Sequence, residues 1–574
     1  TIYIDTLKLG DAFYYDEVSE GKLPKLKNSE TGELLPNQTD IFLPTINIYI
    51  ENIETLKIGS NRLEVQLTIN NPQIYQINKV IIEDMETEIT ESRTISGKTY
   101  IKINATPTKY YDIYRVQSIK YLQENEEKTK DTYDIINESF YKEINKYEDW
   151  QNIDSESYEN YMLLADIDFK GKENIKSNIK INKLITNGQV HTLKNIGLKV
   201  ENLSSGLIKE SKNLIENIEF ENIEIVNEEL SANYIGVIAY NNGDMNNVKF
   251  KDVNISLGSN ANYIGCIAQN NGINISNIIL ENINIKANNY IGSLFGATNG
   301  SYINNIDTKE INIKGNSYLG GLFGLRSFEN NLENNILSNV YASNITIIGS
   351  NNNIGGIWGS DSGNGVQTEN IKVINSNING KNQVGGICGT SGYYSKGINH
   401  IEVIETEING EIDVGGIIGY GGNLTYGIVK ESHIISNKLN SENTGGIIGR
   451  LGWGVNASGS INNDIKSQGN NVGGIVGGYN GTIGYCYSVN NNIEGCEDVG
   501  GISGKFLAGT LYQTYSNSNV KGTKTTGAIL GFLDNSQTDN QTNTINMYNN
   551  LAGGTIEGIN NVGGLIGKID KELY

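Results

Sequence analysis

Histidine and cysteine, the residues that most often bind metals or act as nucleophiles, are few and scattered in this sequence. None of the cysteines forms a Cys-x-x-Cys pair, so the sequence does not support a zinc ribbon. We expect buried hydrophobic positions for the cysteines, and surface or turn positions for the histidines. We therefore predict no catalytic, cofactor or metal site in this chain. The residues concerned are Cys266, Cys388, Cys486, Cys496, His191, His400 and His433.

Other patterns that could carry chemistry are weak. The segment Gly359-Ser360-Asp361-Ser362-Gly363 is the nearest string to a serine-nucleophile motif, and we interpret it as a turn. Asp166 and Asp168 are two residues apart and share a strand face. A calcium or acid role and a solvated or capping role both stay open for this pair. The recurrent Gly-Gly-x-x-Gly segments lack the lysine and helix of a phosphate-binding loop.

A small set of aromatic residues and one arginine are candidates for contact with a partner. Leu325–Asn330 follows a glycine segment in an unusually long gap, and we predict a projecting loop that offers a cation beside an aromatic ring. Exposed aromatic rings would suit sugars, with core or corner packing as the alternative. The candidate residues are Arg326, Phe328, Trp358, Tyr393, Tyr394 and Trp453.

The charge balance narrows the choice of partner. The net charge is −21 and the isoelectric point is about 4.7. Binding to nucleic acid needs a basic face that neutralises phosphates, so we predict no nucleic-acid partner. No stretch of 18 apolar residues is present, so we also predict no membrane insertion. A host glycoprotein, a carbohydrate or a second copy of the chain remain as predicted partners.

Composition divides the chain into regions. All five prolines precede residue 108, whereas only 8 of the 67 glycines occur before residue 201. Short segments with alternating polarity, such as Leu63–Ile69, predict a β-sandwich-like domain over residues 44–123. We interpret 1–43 as an extension or the tail of a preceding domain. Residues 124–157 are predicted to be a linker and a capping helix, placed at Glu138–Ile153, and 158–574 the repeat region.

A short segment, Ile/Val/Leu-Gly-Gly-Ile/Leu-x-Gly, recurs along the second half of the chain. Its first glycine is found twelve times between Gly236 and Gly563, mostly 27–30 residues apart. Such periods indicate a solenoid, propeller or array. The repeats lack helical periodicity and are too short for a propeller blade. We therefore predict an all-β fold, a right-handed parallel β-helix with coils of about 27–30 residues, preceded by a small β-sandwich and a short capping helix.

The anchor also predicts which side chains face the core. The residue before the first glycine and the residue two positions after it are nearly always aliphatic, as in Val414 and Ile417. Both can face one core only if the chain bends between them, and we expect the glycines to make this bend through positive φ angles. Asparagine is abundant in the turns, so we expect its side chains to hydrogen-bond from coil to coil.

The anchor Val-Gly-Gly-Ile-Val-Gly at 472–477 resembles the glycine-rich GLUG repeat of bacterial surface proteins. These repeats occur in adhesin-like proteins and ahead of the catalytic domain of IgA1-specific zinc metallopeptidases of Gram-positive bacteria. The segment with Phe140, Trp150 and Asn160–Phe169 is similar to the one that leads into the β-helix of those peptidases. Their His-Glu-x-x-His zinc motif is absent from this sequence.

The resemblance and the lack of catalytic patterns lead to one principal functional hypothesis and two alternatives. The first is a non-catalytic extracellular rod, at the bacterial cell surface or secreted, that acts as adhesin, spacer or binding region. The second is the substrate-positioning part of an IgA1-protease-like zinc metallopeptidase whose catalytic domain lies downstream of Tyr574. The third is a self-assembling structural subunit, because an uncapped last coil would expose strand edges.

Overall fold

The chain was studied through a computed structural model that describes most of its length. The described residues are 48–58, 61–200, 204–227, 231–299, 302–327, 335–361, 367–392, 397–534 and 545–570, with the backbone of two short strands near the N-terminus. The chain divides into two compact units, Thr1–Tyr141 and Lys142–Tyr574.

The first unit consists of small antiparallel sheets. The strands are β1 (Phe13–Tyr14), β2 (Lys25–Leu26), β3 (Tyr49–Lys57), β4 (Leu63–Asn70), β5 (Gln76–Ile82), β6 (Met85–Ile95), β7 (Lys98–Pro107), β8 (Ile113–Gln123) and β9 (Glu126–Asn137). A four-stranded sheet has the order β3-β4-β7-β6, a three-stranded sheet has the order β5-β8-β9, and β1 pairs with β2. In β4 every second side chain is buried, from Leu63 to Ile69, as the alternating polarity predicted.

The structure differs from the predicted domain boundary at Gln123. Glu126–Asn137, assigned to a linker, is a strand that pairs antiparallel with β8 and buries Thr132 and Ile136. The long predicted helix is also wrong, because within Glu138–Ile153 only α1 (Tyr147–Gln151) is helical. Most of β9 is polar and solvent-facing, so its two buried residues gave too weak a period-two signal.

The second unit is a parallel β-solenoid. Its first strand, Lys142–Ile144, is followed by α1, whose Trp150 is buried in the solenoid core and packs edge-on against Phe169 with ring centroids 5.8 Å apart. The Trp150 Nε1 donates a hydrogen bond to the Lys176 carbonyl. The first strands are Lys142–Ile144, Glu159–Leu163, Ile167–Asp168, Ile179–Thr186 and His191–Leu198.

Each later coil contributes strands to three faces. Sheet A has twelve strands: Asn233–Ile235, Asn262–Ile264, Asn289–Gly292, Ser317–Gly320, Asn352–Gly355, Asn382–Gly385, Ile412–Gly415, Glu442–Gly445, Asn470–Gly473, Glu497–Gly500, Thr526–Gly527 and Val562–Gly563. Faces B and C belong to one 35-stranded sheet that bends around the coil. Face B consists of Ile238–Asn241, Ile267–Asn270, Phe295–Asn299, Phe323–Ser327, Trp358–Asp361, Cys388–Thr390, Ile418–Gly421, Ile448–Leu451, Val476–Gly484, Ser503–Tyr512, Leu530–Asp534 and Ile566–Asp570, of which Val476–Gly484 and Ser503–Tyr512 continue into face C.

Face C carries the longest strands, which stack in parallel on those of the neighbouring coils. Several are split by a corner into two shorter strands. They are Ile208–Asn227, Asp244–Leu257, Asn274–Lys286, Tyr302–Gly315, Ile336–Gly349, Gln367–Ile374, Asn377–Asn379, Gly397–Ile404, Glu407–Gly410, Leu424–Lys430, His433–Ser436, Gly454–Asn456, Gly459–Ile461, Asp464–Ser467, Tyr487–Glu494, Tyr515–Lys521, Ile545–Tyr548 and Leu551–Glu557.

The predicted core register is confirmed. The side chains two positions after each first anchor glycine, from Ile238 to Ile529, are at most 1% exposed. Leu565 in the last anchor is 54% exposed, because no described coil packs on it. The coil-to-coil register places equivalent side chains of successive coils next to each other, for example Ile238 beside Ile267. The recurrence of the anchor at the same register position in each coil therefore creates continuous apolar stacks inside the solenoid.

The prediction that the anchor glycines bend through positive φ is wrong. None of the anchor glycines has a positive φ. The chain bends at the second glycine and the residue after it, such as Gly416 and Ile417, whereas the positive φ is found two positions before the first glycine, as at Tyr263 with φ 60°. The glycines are required for space instead. A Cβ on Gly416 would collide with the carbonyl oxygen of Gly446 in the next coil, and one on Gly419 would lie 2.5 Å from the backbone of Gln383.

Asparagine occupies many of the corners, where its tolerance of positive φ suits the tight turn. Asn217 and Asn247 adopt φ values of 59° and 52° at equivalent positions of successive coils. The Asn247 Nδ2 donates to the Asn217 Oδ1 at 2.7 Å, and the Asn375 Nδ2 donates to the Asn344 Oδ1 at 2.6 Å. The predicted asparagine ladders are thus confirmed. Within the described residues, no helix is long and apolar enough to span a membrane.

Candidate binding groove

Two of the predicted contact residues lie inside the solenoid. Arg326 is 2% exposed and Trp358 is fully buried. Arg326 lies on the face-B strand Phe323–Ser327 and pairs in register with Asp361, with 3.5 Å between Nη2 and Oδ2. Its guanidinium lies 4.5 Å from the Trp358 ring, and both Nη atoms lie 3.4 Å from the Thr368 Oγ1. The predicted surface contact at these two residues is therefore wrong, because the strand extends to Ser327 and turns Arg326 inward.

The predicted turn around Ser360 is also a strand. Trp358–Asp361 belongs to face B, and Ser360 is only 9% exposed. The Asp361 carboxylate is engaged by Arg326, and Ser362 lies outside the described residues. All four residues of Trp358–Asp361 are therefore buried in the solenoid.

The remaining predicted contact residues are less informative. Phe328, Tyr393 and Tyr394 lie outside the described residues. Trp453 is half-buried with its ring centroid 6.4 Å from that of Tyr420. The structure therefore places only Trp453 at the surface and does not gather the predicted residues into one site.

A more coherent surface feature is a ladder of tyrosines that sequence reasoning missed. Tyr234, Tyr263, Tyr290 and Tyr318 occupy equivalent positions in the sheet-A strands of four successive coils. Their rings stack with successive centroid distances of 4.8, 4.5 and 4.6 Å and interplanar angles of 15° or less. The only signal in the sequence is the repeated Asn-Tyr-Ile-Gly, with Ser-Tyr-Leu-Gly in the fourth coil.

The tyrosine ladder is held in an unfavourable backbone conformation. All four residues have φ between 55° and 60°, a region that bulky residues rarely adopt. Such a conformation costs on the order of 1–3 kcal/mol per residue. Each stacked ring pair stabilises the folded state by about 0.5–1.5 kcal/mol, and the flanking sheet-A hydrogen bonds fix the backbone. The ladder thus exists because the coil register brings the rings to the spacing at which they stack.

Beside this ladder runs a file of outward side chains from face B. Tyr240, Gln269, Ala297 and Leu325 are neighbours in the parallel register of four coils. The Tyr240 ring centroid lies 5.3 Å from that of Tyr234, with the rings tilted by 37°, and the next residue along the file beyond Tyr240 is the acidic Glu210. Ala297, the shortest side chain of the file, leaves a depression between two longer neighbours. The four residues from Tyr240 to Leu325 therefore form an uneven floor.

A second ladder bounds the other side of the floor. The Asn271 Nδ2 donates to the Asn242 Oδ1 at 2.8 Å, and the Asn299 Nδ2 donates to the Asn271 Oδ1 at 3.0 Å. The Ser327 hydroxyl continues the chain by donating to the Asn299 Oδ1 at 2.6 Å. Gln269 joins it through a bond from Nε2 to the Asn271 Oδ1 at 3.1 Å. These bonds hold a polar wall in a fixed conformation.

Two members of the tyrosine ladder, Tyr234 and Tyr263, line a groove of about 380 Å³ together with the floor and the polar wall, and we call it the tyrosine groove. No side chain in its lining is charged, although the chain as a whole carries a net charge of −21. Burial raises the pKa of Tyr240 and Tyr263 above the ordinary tyrosine value, so their hydroxyls stay neutral at physiological pH. The lining residues are Tyr234, Tyr240, Tyr263, Gln269, Asn271, Ala297, Asn299, Leu325 and Ser327.

The residues that sequence analysis considered for chemistry are separated and engaged in local contacts. His191 is buried rather than exposed; its Nδ1 lies 3.3 Å from Asp166 Oδ1. Asp168 accepts hydrogen bonds from Asn195 and from the Lys170 backbone, which fits a structural role. His433 lies 3.3 Å from an Asp464 carboxylate oxygen. Among the described residues, no group of three His, Cys, Asp or Glu side chains could hold a metal ion.

Comparison with known proteins gives little further information. No protein-family model matches the chain, and no curated protein matches it. The crystal structure of a putative immunoglobulin A1 protease from Bacteroides ovatus matches with a TM-score of 0.18 and 12% sequence identity, covering 72% of this chain and 84% of that chain. A likeness at this identity and TM-score assigns no function to the chain.

Proposed function

We propose that this chain is a non-catalytic, extracellular bacterial surface solenoid that binds host glycoprotein or carbohydrate, as an adhesin or binding region. The observation that carries the proposal is the tyrosine groove, an uncharged polar and aromatic depression on an otherwise acidic protein. Polar side chains held in place by their neighbours bind a ligand at low entropic cost. A stack of coils supplies this surface over several coils without any coil-specific loop.

The contacts of the ionisable groups inside the solenoid support a structural rather than a catalytic use. Asp361 is bound by Arg326, and the Asp413 Oδ1 accepts a hydrogen bond from Asn443 at 2.7 Å. Burial raises the pKa of the Cys486 thiol to about 12, which keeps it protonated and unreactive. These groups stabilise coils and do not converge on an open cleft.

The proposal is tested by passing host glycoproteins, including mucins and immunoglobulin A, over the immobilised chain. We expect reversible capture that is lost when the glycans are removed enzymatically, with the mass of the eluted glycoprotein unchanged. Failure to capture any glycoprotein, or capture that is indifferent to deglycosylation, would refute the proposed function. Cleavage that scales with the amount of repurified chain would refute its non-catalytic part.

The extracellular location has its own test. An antibody raised against the solenoid should label intact cells of the producing bacterium or recognise the chain in its culture medium. Detection only after cell lysis would contradict the proposed location.

A further inference from the structure

We infer that the tyrosine groove binds a neutral oligosaccharide whose chain runs along the solenoid axis. The inference rests on the proposed function and names the ligand class of its site. The ligand must offer many hydroxyl groups, carry no charge and be extended over several coils. Each of these requirements follows from a separate feature of the groove.

The absence of charge from the lining sets the first requirement. A buried or half-buried charge on a ligand needs an opposite charge or several donors to compensate its desolvation. The groove offers only amides, hydroxyls, aromatic edges and aliphatic groups. The nearby cation, Arg326, points into the core and is paired with Asp361. An acidic glycan would therefore lose solvation in the groove without gaining an ion pair.

The hydrogen-bonding pattern of the walls sets the second requirement. The side-chain amides of Asn271 and Asn299 each use one N–H in the ladder, and an amide nitrogen carries two. Their carbonyl oxygens accept from the next member of the ladder, which fixes the direction of both groups. The remaining N–H groups are held in a row at the spacing of the coils. Sugar hydroxyls are matching acceptors, because each hydroxyl oxygen has two lone pairs.

The tyrosine wall favours hydrogen bonds over ring stacking. Ladder members cover one another's faces, so the groove is lined by ring edges and hydroxyls rather than by open faces. Tyr240 stands outside the ladder at one end of the floor. Its ring is suited to pack against the terminal sugar of a bound chain.

The extent of the groove sets the third requirement. Its floor runs from Tyr240 to Leu325 through four successive coils. At about 4.8 Å per coil, these three steps span roughly 14 Å. This length accommodates two or three sugar rings aligned with the axis, and the depression at Ala297 gives room for the ring that crosses the middle. A ligand lying across the axis would contact only one or two coils.

The test is isothermal titration calorimetry of the full chain with three soluble hexasaccharides. Two probes are neutral, chitohexaose and maltohexaose, and the third, a hyaluronan hexasaccharide, carries carboxylates. We expect at least one neutral probe to bind, and the acidic probe to bind at least tenfold more weakly. Equal or tighter binding of the acidic probe, or no binding of either neutral probe, would overturn the inference.

Two variants locate the binding. Ala297→Gln fills the depression with a side chain that the preceding coil already carries at Gln269, so folding should be retained. We expect a loss of affinity of at least tenfold, and a several-fold loss for Tyr263→Phe, which removes one hydroxyl and keeps the stacked ring. Tyr341→Phe, at an exposed position on face C, is the matched control and should bind like the parent.

The variants also separate this inference from the proposed function. Ala297→Gln binding the neutral probe with unchanged affinity would show that the groove is not the site. If that variant also still captures glycoproteins in a glycan-dependent way, the proposed function stands and only the groove assignment fails. If the parent chain captures no glycoprotein, the proposed function fails as well. Thermal unfolding of each variant verifies that it is folded.

Discussion

At the scale of single residues, the buried charges of Arg326 and Asp361 lie in the solenoid interior as an ion pair. Arg326 and Asp361 are almost fully buried, and each would be costly to bury alone. In the sequence Arg326 stands two residues before Phe328 in a long gap between anchors, which suggested a surface loop. Whether a face-B side chain points inward depends on where its strand ends, and composition does not reveal this.

The first prediction concerns this buried pair. Asp361→Ala should lower the free energy of unfolding by about 3–5 kcal/mol, because it leaves the Arg326 guanidinium buried without its counter-ion. The double variant Arg326→Met/Asp361→Leu should recover most of the loss. Urea unfolding followed by circular dichroism measures both. The exposed pair Lys372–Glu402 is the control, and Glu402→Ala should cost less than about 1 kcal/mol.

A second prediction uses the buried Asp413 carboxyl. Burial raises its pKa to about 6, with a smaller raising effect from Glu442, while the Asn443 hydrogen bond and Arg450 oppose the shift. The folded chain therefore binds the proton more tightly than the unfolded chain does. This contribution to stability is complete below about pH 4 and is lost as the pH rises through about 6.

Asp413→Asn should accordingly stabilise the chain by about 2 kcal/mol at pH 7.5, and much less at pH 4. The measurement is the difference in urea midpoint between the variant and the parent at each pH. A difference that is the same at both pH values would contradict the assignment, since removing a constant contact would produce no pH dependence.

Thiol reactivity gives a third prediction at this scale. Cys266, Cys388 and Cys486 are buried, and burial raises the pKa of each thiol, whereas Cys496 is partly exposed. Ellman's reagent should titrate one thiol in the native chain and four in denaturant. Cys496→Ser should abolish the native reaction. Rapid labelling of two or more native thiols would show that the coils open more readily than the burial implies.

At the scale of elements, the anchor segments determine the coil. Their period and aliphatic positions could be predicted from the sequence, because stacked coils repeat the same side chain at the same position. The reason for the glycines could not be predicted, since a turn and a close backbone approach both select glycine. The tyrosine ladder could not be predicted either, because the rings of Tyr263 and Tyr290 stack only once the coils are in register.

The fourth prediction tests the close approach. Gly416→Ala should cost about 1–3 kcal/mol, because its Cβ would collide with the Gly446 carbonyl and approach the Val429 side chain. Gly564 occupies the same anchor position in the last coil, where a Cβ would meet nothing within 4 Å. Gly564→Ala is therefore the matched control. Equal effects of the two substitutions on the thermal midpoint would refute the steric explanation.

At the scale of the whole chain, two compact units follow one another along the sequence. The β-sandwich and the parallel solenoid were predictable from patterns of period two and of about 28 residues, whereas the boundary near Tyr141 was not, because β9 is mostly polar. The tyrosine groove was missed for a related reason. Its residues come from four coils and are adjacent only across the stack, where single-sequence motifs give no signal.

The central claim is that a groove assembled by stacking, rather than a projecting loop, binds a neutral glycan. The most direct measurement is a crystal structure of the full chain grown with the neutral hexasaccharide that binds best. We predict density for two or three sugar rings between the tyrosine ladder and the Asn271–Asn299 wall, aligned with the solenoid axis. Density at saturating ligand that lies elsewhere on the chain, with the tyrosine groove unchanged, would contradict the account.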